Sequence, residues 1–277
     1  MIEIGGMARA RNSTAPTAAN EAPLLRHGDG GIVTLTLNRP RQYNALSDAL
    51  LTELQAALDS LAGDPTVRIV VLAGAGPAFC AGHDLKEMRA RPDRAYYSDL
   101  FERCTRMMLT LTQMPQPVIA RVHGIATAAG CQLVAACDLA IAASEARFAT
   151  SGVNVGLFCS TPAVPLSRNI PAKQAAEMLL TGDFIDAETA LRYGLVNRVV
   201  PAVALDDAVA DLANRIAAKS SVAVAAGKRL FHRQRDLDLR AAYDLAIETM
   251  TDNMMAEDVD EGIDAFIEKR RPAWKGR

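Results

Sequence analysis

Cys80, His83 and Asp84 fall close together in FCAGHDL, residues 79–85. A thiol and an imidazole in one turn can form a nucleophile–base pair or half of a metal site. A metal site needs a second Cys or His pair at ligand spacing. Cys131 and Cys137 are too irregularly placed to supply it, so no metal is expected. His123 ends a strand and reads as a satisfied polar residue. Ser160 could pair with it, but nothing singles out a Ser/His/Asp set. A third reading concerns the backbone. In PAFCAGHDL and again in HGIATAAGCQL, a strand runs through small residues into a turn, and the second turn opens a helix. Small residues let a ligand approach the main chain. A helix start offers free N–H groups and partial positive charge. Two such N–H groups converging on one point form an oxyanion hole.

Those turns need rigid elements on either side. GIVTLTLN alternates and is β-branched, so it predicts a strand, with order beginning near Gly31. Ser47 caps a helix in which Leu51, Leu54, Leu58 and Leu61 recur at helical spacing. VRIVVLAG (67–74) reads as a buried strand, Asp93 to Met114 as a helix, and QPVIARVHG and LAIAA as strands flanking a short apolar helix. Alternating strands and helices to about residue 150 predict an α/β fold with largely parallel, buried strands. After Thr161 nearly everything reads helical apart from NRVVP. DAETALRYG predicts a capped helix ending at Gly194, and two or three helices are expected over the last 75 residues.

The chain has 277 residues, is 50% hydrophobic and carries a net charge of −2, with no dense basic run, so nucleic acid is not an expected partner. No apolar run is long enough to predict a membrane span. Five cysteines at irregular spacing fit a reduced compartment. A cytoplasmic location is expected. The alternative is the mitochondrial matrix, because Met7 to Asn20 carries Arg, Ser, Thr and Ala and no acid. Residues 1–22 are expected to form a disordered leader, 23–200 the core and 201–277 a helical C-terminal region.

LNRPRQYNALS, FCAGHDLKEM, PVIARVHGIATAAGCQL and ACDLAIAASEARF resemble, in order and spacing, the blocks of the crotonase superfamily, which includes enoyl-CoA hydratases and isomerases. GLVNRVVP and EGIDAFIEKRRPAW resemble its later blocks. The resemblance covers about residues 31–275. It implies a crotonase-like spiral of strand-strand-helix units with a helical C-terminal oligomerisation region, assembled as a homotrimer or hexamer. It also implies an acyl-CoA substrate, with coenzyme A as part of that substrate and no separate cofactor, and a thioester enolate held by two backbone N–H groups. By position these are the N–H groups of His83 and Ala129. The resemblance places Arg41, His83, Asp84, Leu85, Lys86, Phe266 and Lys269 along the CoA moiety.

The chain departs from the family where a hydratase carries two glutamates. Gln132 stands at the first position and Gly152 at the second. Gln132 can orient water but cannot take its proton. ATSGVNVGLFCSTP is similar to a loop of a family decarboxylase acting on methylmalonyl-CoA, whose active-site tyrosine position falls on Cys159. Phe158 offers a surface for a substrate tail. Tyr96, Tyr97, Asp99 and Glu102 lie on a helix from which some members supply catalytic groups. The resemblance implies an enoyl-CoA hydratase-like lyase. Decarboxylation, isomerisation and acyl-CoA binding without turnover are the alternatives.

Overall fold

A computed structural model describes residues 22–29 and 31–277. Apart from Ala22, the expected disordered leader lies outside the described residues. The chain runs β1 (Leu24–Asp29), β2 (Ile32–Leu37), α1 (Asp48–Ala62), β3 (Ile69–Gly74), β4 (Ala78–Cys80), α2 (Leu85–Ala90) and α3 (Arg94–Gln113). It continues through β5 (Val118–Val122), β6 (Ile125–Thr127), α4 (Ala129–Ala136), β7 (Leu139–Ala143), β8 (Arg147–Ala149), α5 (Ser160–Asn169) and α6 (Ala172–Thr181). The last part comprises β9 (Ile185–Asp186), α7 (Ala187–Tyr193), β10 (Arg198–Val200), α8 (Leu205–Ala217), α9 (Ser221–Gln234), α10 (Leu239–Met254) and α11 (Glu257–Glu268).

Three units repeat one plan. A long strand (β3, β5 or β7) enters a six-stranded sheet of order β1-β2-β3-β5-β7-β10. A short strand (β4, β6 or β8) then enters a second sheet of order β4-β6-β8-β9, and a helix follows. Pairing from β2 to β10 is parallel, as expected, while β1 lies antiparallel on β2. This is the strand-strand-helix architecture expected from the sequence.

The six-stranded sheet is covered on both faces, which explains its uninterrupted apolar strands. Leu35, Leu37, Leu72 and Val118 face the main core with Leu54, Leu58 and Leu61 of α1. Ile69, Val71, Ile119 and Ile141 face a smaller core closed by Leu205, Val209 and Ala213 of α8. The Ser47 side chain accepts from the Leu50 N–H at the start of α1, as predicted. Gly194 ends α7 in the left-handed region at φ 87°.

Three expectations need correction. The first strand among the described residues starts at Leu24, ahead of the start expected near Gly31, because β1 gains a full ladder on β2 despite its charged composition. The last part holds four helices, α8 to α11, rather than two or three. The turn after Gly74 contains β4, too short to show a period, and α2 follows it. Asp84 caps α2 by accepting from the Lys86 and Glu87 N–H groups.

Candidate active site

The two small-residue turns meet. Leu46 donates to the Gly82 carbonyl at 2.7 Å and accepts from the Asp84 N–H at 3.1 Å. A residue between two groups bonded on one side turns its own N–H to the other side, and His83 occupies that place. Ala129 is the first residue of α4, where an N–H has no intrahelical acceptor. Among the described residues, neither N–H has a hydrogen-bond acceptor. Gly82, at φ +90°, brings the loops into contact. A methyl there would stand 2.9 Å from the Ala128 Cβ and 3.3 Å from the Ala129 nitrogen.

Ala128 sits at φ 50°, ψ −120°, a conformation that glycine adopts freely and alanine only under strain. The strain aims the Ala129 N–H, and it has a measurable cost. Ala128→Gly is expected to stabilise the fold by about 1 kcal/mol, relief of strain exceeding the entropy that glycine adds to the unfolded chain. Thermal unfolding should show this as a Tm rise of about 2–4 °C.

Both donors border a cavity of about 290 Å³. Leu85 and Met88 of α2, Phe101 of α3, Val155, Leu157 and Phe158 form its apolar wall. Ser151, Gly152, Cys159, Ser160 and Thr161 line the remainder, the last two opening α5. No carboxylate lines it among the described residues. Gly152 leaves no space for one. A Cβ there would meet the Leu157 carbonyl oxygen and lie 2.8 Å from the Cys159 Sγ. The Cys159 thiol accepts from the Gly152 N–H at 3.3 Å. Burial pushes that thiol's pKa up, and the Gly152 hydrogen bond only partly opposes it.

Cys80 and His83 do not form a reactive pair. Burial pushes the Cys80 thiol up to about 12, so it stays protonated and packs beneath the turn. His83 is held neutral, its pKa lowered to about 4, by burial first and then by the Arg103 guanidinium. Its ring meets Phe101 edge-on at 5.6 Å. The unfolded chain therefore takes up a proton near pH 6.5, while the folded chain takes it up near 4. Stability from this group is complete above pH 6.5 and is lost as pH falls toward 4, on the order of 3 kcal/mol in all. Chemical denaturation at a series of pH values should show that slope in the wild type and its absence in His83→Gln.

The other expected residues scatter. Gln132 is buried one turn into α4, away from the cavity wall, and its Oε1 has no partner among the described residues. Asp84 pairs with Arg39 at 3.0 Å. Burial alone would raise its carboxyl, but Arg39 and the two cap N–H groups outweigh it and hold it low. Arg41 is exposed in a short turn at Pro40–Gln42, and Lys86 is exposed on α2. Phe266, 85% exposed, borders a separate groove on α11 with Ile263 and Trp274, and Lys269 ends that helix at φ 56°. Tyr96 and Asp99 join a surface network in which Arg103 bridges Asp48 and Asp99, both at 2.7 Å, and Tyr97 donates to the Met88 carbonyl. Met88, Phe101 and Leu157 escape sequence reasoning. Their only signal is apolar character beside the turns.

The enoyl-CoA hydratase/isomerase family profile matches residues 27–277. Enoyl-CoA hydratase domain-containing protein 3, mitochondrial, from Rattus norvegicus is 45% identical over 95% of this chain and 88% of its own length. 2,3-Dehydroadipyl-CoA hydratase from Escherichia coli is 35% identical over 89% of this chain and 96% of its own. The crystal structure of an enoyl-CoA hydratase from Mycobacterium smegmatis superposes with a TM-score of 0.91 at 60% identity, covering 92% of this chain and 99% of that one. The architecture, the paired donor turns and these likenesses agree, and the chain belongs to the enoyl-CoA hydratase/isomerase family.

Proposed function

We propose that the protein is an acyl-CoA thioester enzyme of the hydratase-like kind, holding the thioester oxygen on the His83 and Ala129 N–H groups while negative charge develops there. One observation carries this reading: two acceptor-free backbone N–H groups border a single apolar cavity. Such preorganised donors act where charge accumulates in the transition state. The hydratase names of the relatives support the substrate class. Leu85, Asp84 and Lys86 lie beside the donor turn and are proposed to run along the CoA moiety. Arg41, Phe266 and Lys269 are proposed to meet its distal end. Cys159 borders the reacting carbons, and Gln132 backs the donor helix.

A homotrimer or hexamer is part of this proposal. Leu239, Tyr243, Ile247, Met250 and Met254 expose one apolar stripe along α10, which a neighbouring copy would cover. Among the described residues no helix is long and apolar enough to cross a membrane. The word mitochondrial in the rat relative's name supports a mitochondrial alternative to the cytoplasm.

Titration calorimetry with acetoacetyl-CoA and crotonyl-CoA tests the substrate class. Heat of binding that disappears with a free acid in place of the thioester is expected, and no binding at millimolar ligand would sink the reading. The absence of a lining carboxylate favours one second reading, decarboxylation of a malonyl-type thioester, which needs the donors but no base at the α-carbon. Release of CO2 from such a thioester, measured beside water addition to crotonyl-CoA, separates the two.

A further inference from the structure

We propose that Phe101 sets acyl-chain length, closing the cavity so that it takes a neutral hydrocarbon chain of medium length. This deepens the thioester reading above and rests on it. Leu85, Val155, Leu157 and Phe158 are exposed and mark the open side of the cavity, whereas Ala129, Cys159 and Pro162 are buried and mark its inner side. The phosphates of CoA carry charge and must stay on the open side. The acyl chain therefore runs inward from the two donors. The cavity holds about 290 Å³, and a water-sized group takes ~30 Å³, so it has room for roughly ten such groups. The thioester and the carbons beside its sulfur fill roughly four of them, which leaves a chain of about six carbons.

Phe101 is the fixed part of the wall that such a chain meets. It lies on α3 beside the buried Leu100 and one turn before the buried Met108 and Cys104 face of the same helix. Its side chain packs against the main core, and its ring meets the His83 ring edge-on at 5.6 Å. Tyr97, one turn earlier on α3, donates to the Met88 carbonyl at 3.1 Å and holds α2 against α3. Phe101 is thus held from two directions, next to the residue that supplies the first donor. Met88 is the softer neighbour, because an unbranched thioether changes rotamer to admit a longer chain. Leu157 and Phe158 belong to the exposed side, where they flank the entrance. No side chain with a formal charge lines the cavity among the described residues. A carboxylate at the far end of such a chain would be buried without a partner, at a high cost.

The test measures binding of saturated acyl-CoA thioesters, from butyryl- to dodecanoyl-CoA, by calorimetry. Wild type is compared with Phe101→Ala, Phe101→Leu and Phe101→Trp, with folding followed by thermal unfolding. Wild-type affinity should rise about fourfold per added methylene and stop rising at about hexanoyl length. In Phe101→Ala and Phe101→Leu the rise should continue for about two to four more carbons, so that decanoyl-CoA binds about tenfold or more tighter than to wild type. In Phe101→Trp the rise should stop sooner. Adipyl-CoA should bind wild type at least about tenfold more weakly than hexanoyl-CoA. A break at one length in wild type and every folded variant overturns the role of Phe101, and so does a wild-type affinity that climbs through the series without a break. Adipyl-CoA binding as tightly as hexanoyl-CoA overturns the neutral-chain selection. A wild type that binds no thioester of any length overturns the thioester reading itself, and this role with it.

Discussion

Replacing Ala129 with proline is expected to slow turnover of an acyl-CoA thioester by about 10²–10³-fold while leaving the fold intact, because it deletes one oxyanion donor and little else. The substitution suits the site. Ala129 is the first residue of α4, where proline is well accepted and where the lost N–H has no acceptor to abandon. Ala129→Gly is the control, since it keeps the N–H and removes only the methyl. Steady-state kinetics should show the proline variant losing kcat with KM little changed, as for a contact made chiefly in the transition state. Circular dichroism and a melt confirm folding. Turnover within about threefold of wild type in a folded proline variant would remove Ala129 from the mechanism.

How far the sequence reaches follows from length and period. The leucines of α1 span about three turns behind a Ser47 cap, so the helix is legible. The buried run of β3 and the small-residue turns are legible for the same reason: each repeats or concentrates one property. The second sheet is not legible, because β4, β6 and β8 have three residues each and β9 has two, too few to show alternation. His83 and Ala129 follow from matching motifs, but the fate of Gly152 does not. The sequence shows only that a side chain is missing, whereas the fold shows its direction filled by Leu157 and Cys159. The orphaned ring of His83 is equally invisible, since it depends on Phe101 and Leu46, distant in sequence, supplying no partner.

Lys228→Met is expected to destabilise the protein by about 3–5 kcal/mol, the cost of breaking a buried ion pair from one side. The Lys228 ammonium is enclosed, its side chain only 4% exposed. It reaches Asp138 Oδ2 at 2.6 Å and donates to the Leu111 and Gln116 carbonyls at 2.7 and 2.8 Å. Burial pushes its pKa down, and the Asp138 charge opposes that and keeps the pair together. Asp138 also accepts from the Val118 N–H at 2.7 Å and meets His232 at 2.8 Å. One cation thus ties α9 to the end of α3, to the segment leading into β5 and to the segment leaving α4. Methionine fills the volume but leaves a carboxylate and two carbonyls without their donor. Thermal unfolding should show a Tm lower by roughly 10 °C. Asp138→Asn should cost less, since its amide oxygen still accepts from Val118. The double variant should fall short of the sum, because the two changes remove one shared contact. A methionine variant melting within about 2 °C of wild type would show the buried ammonium to be energetically idle. The tie lies at the far end of α4 from Ala129, so folded Lys228→Met at low temperature should keep most of its turnover. A lost donor and a lost anchor are therefore separable: Ala129→Pro slows the chemistry of a stable protein, and Lys228→Met weakens a protein whose chemistry persists until it unfolds.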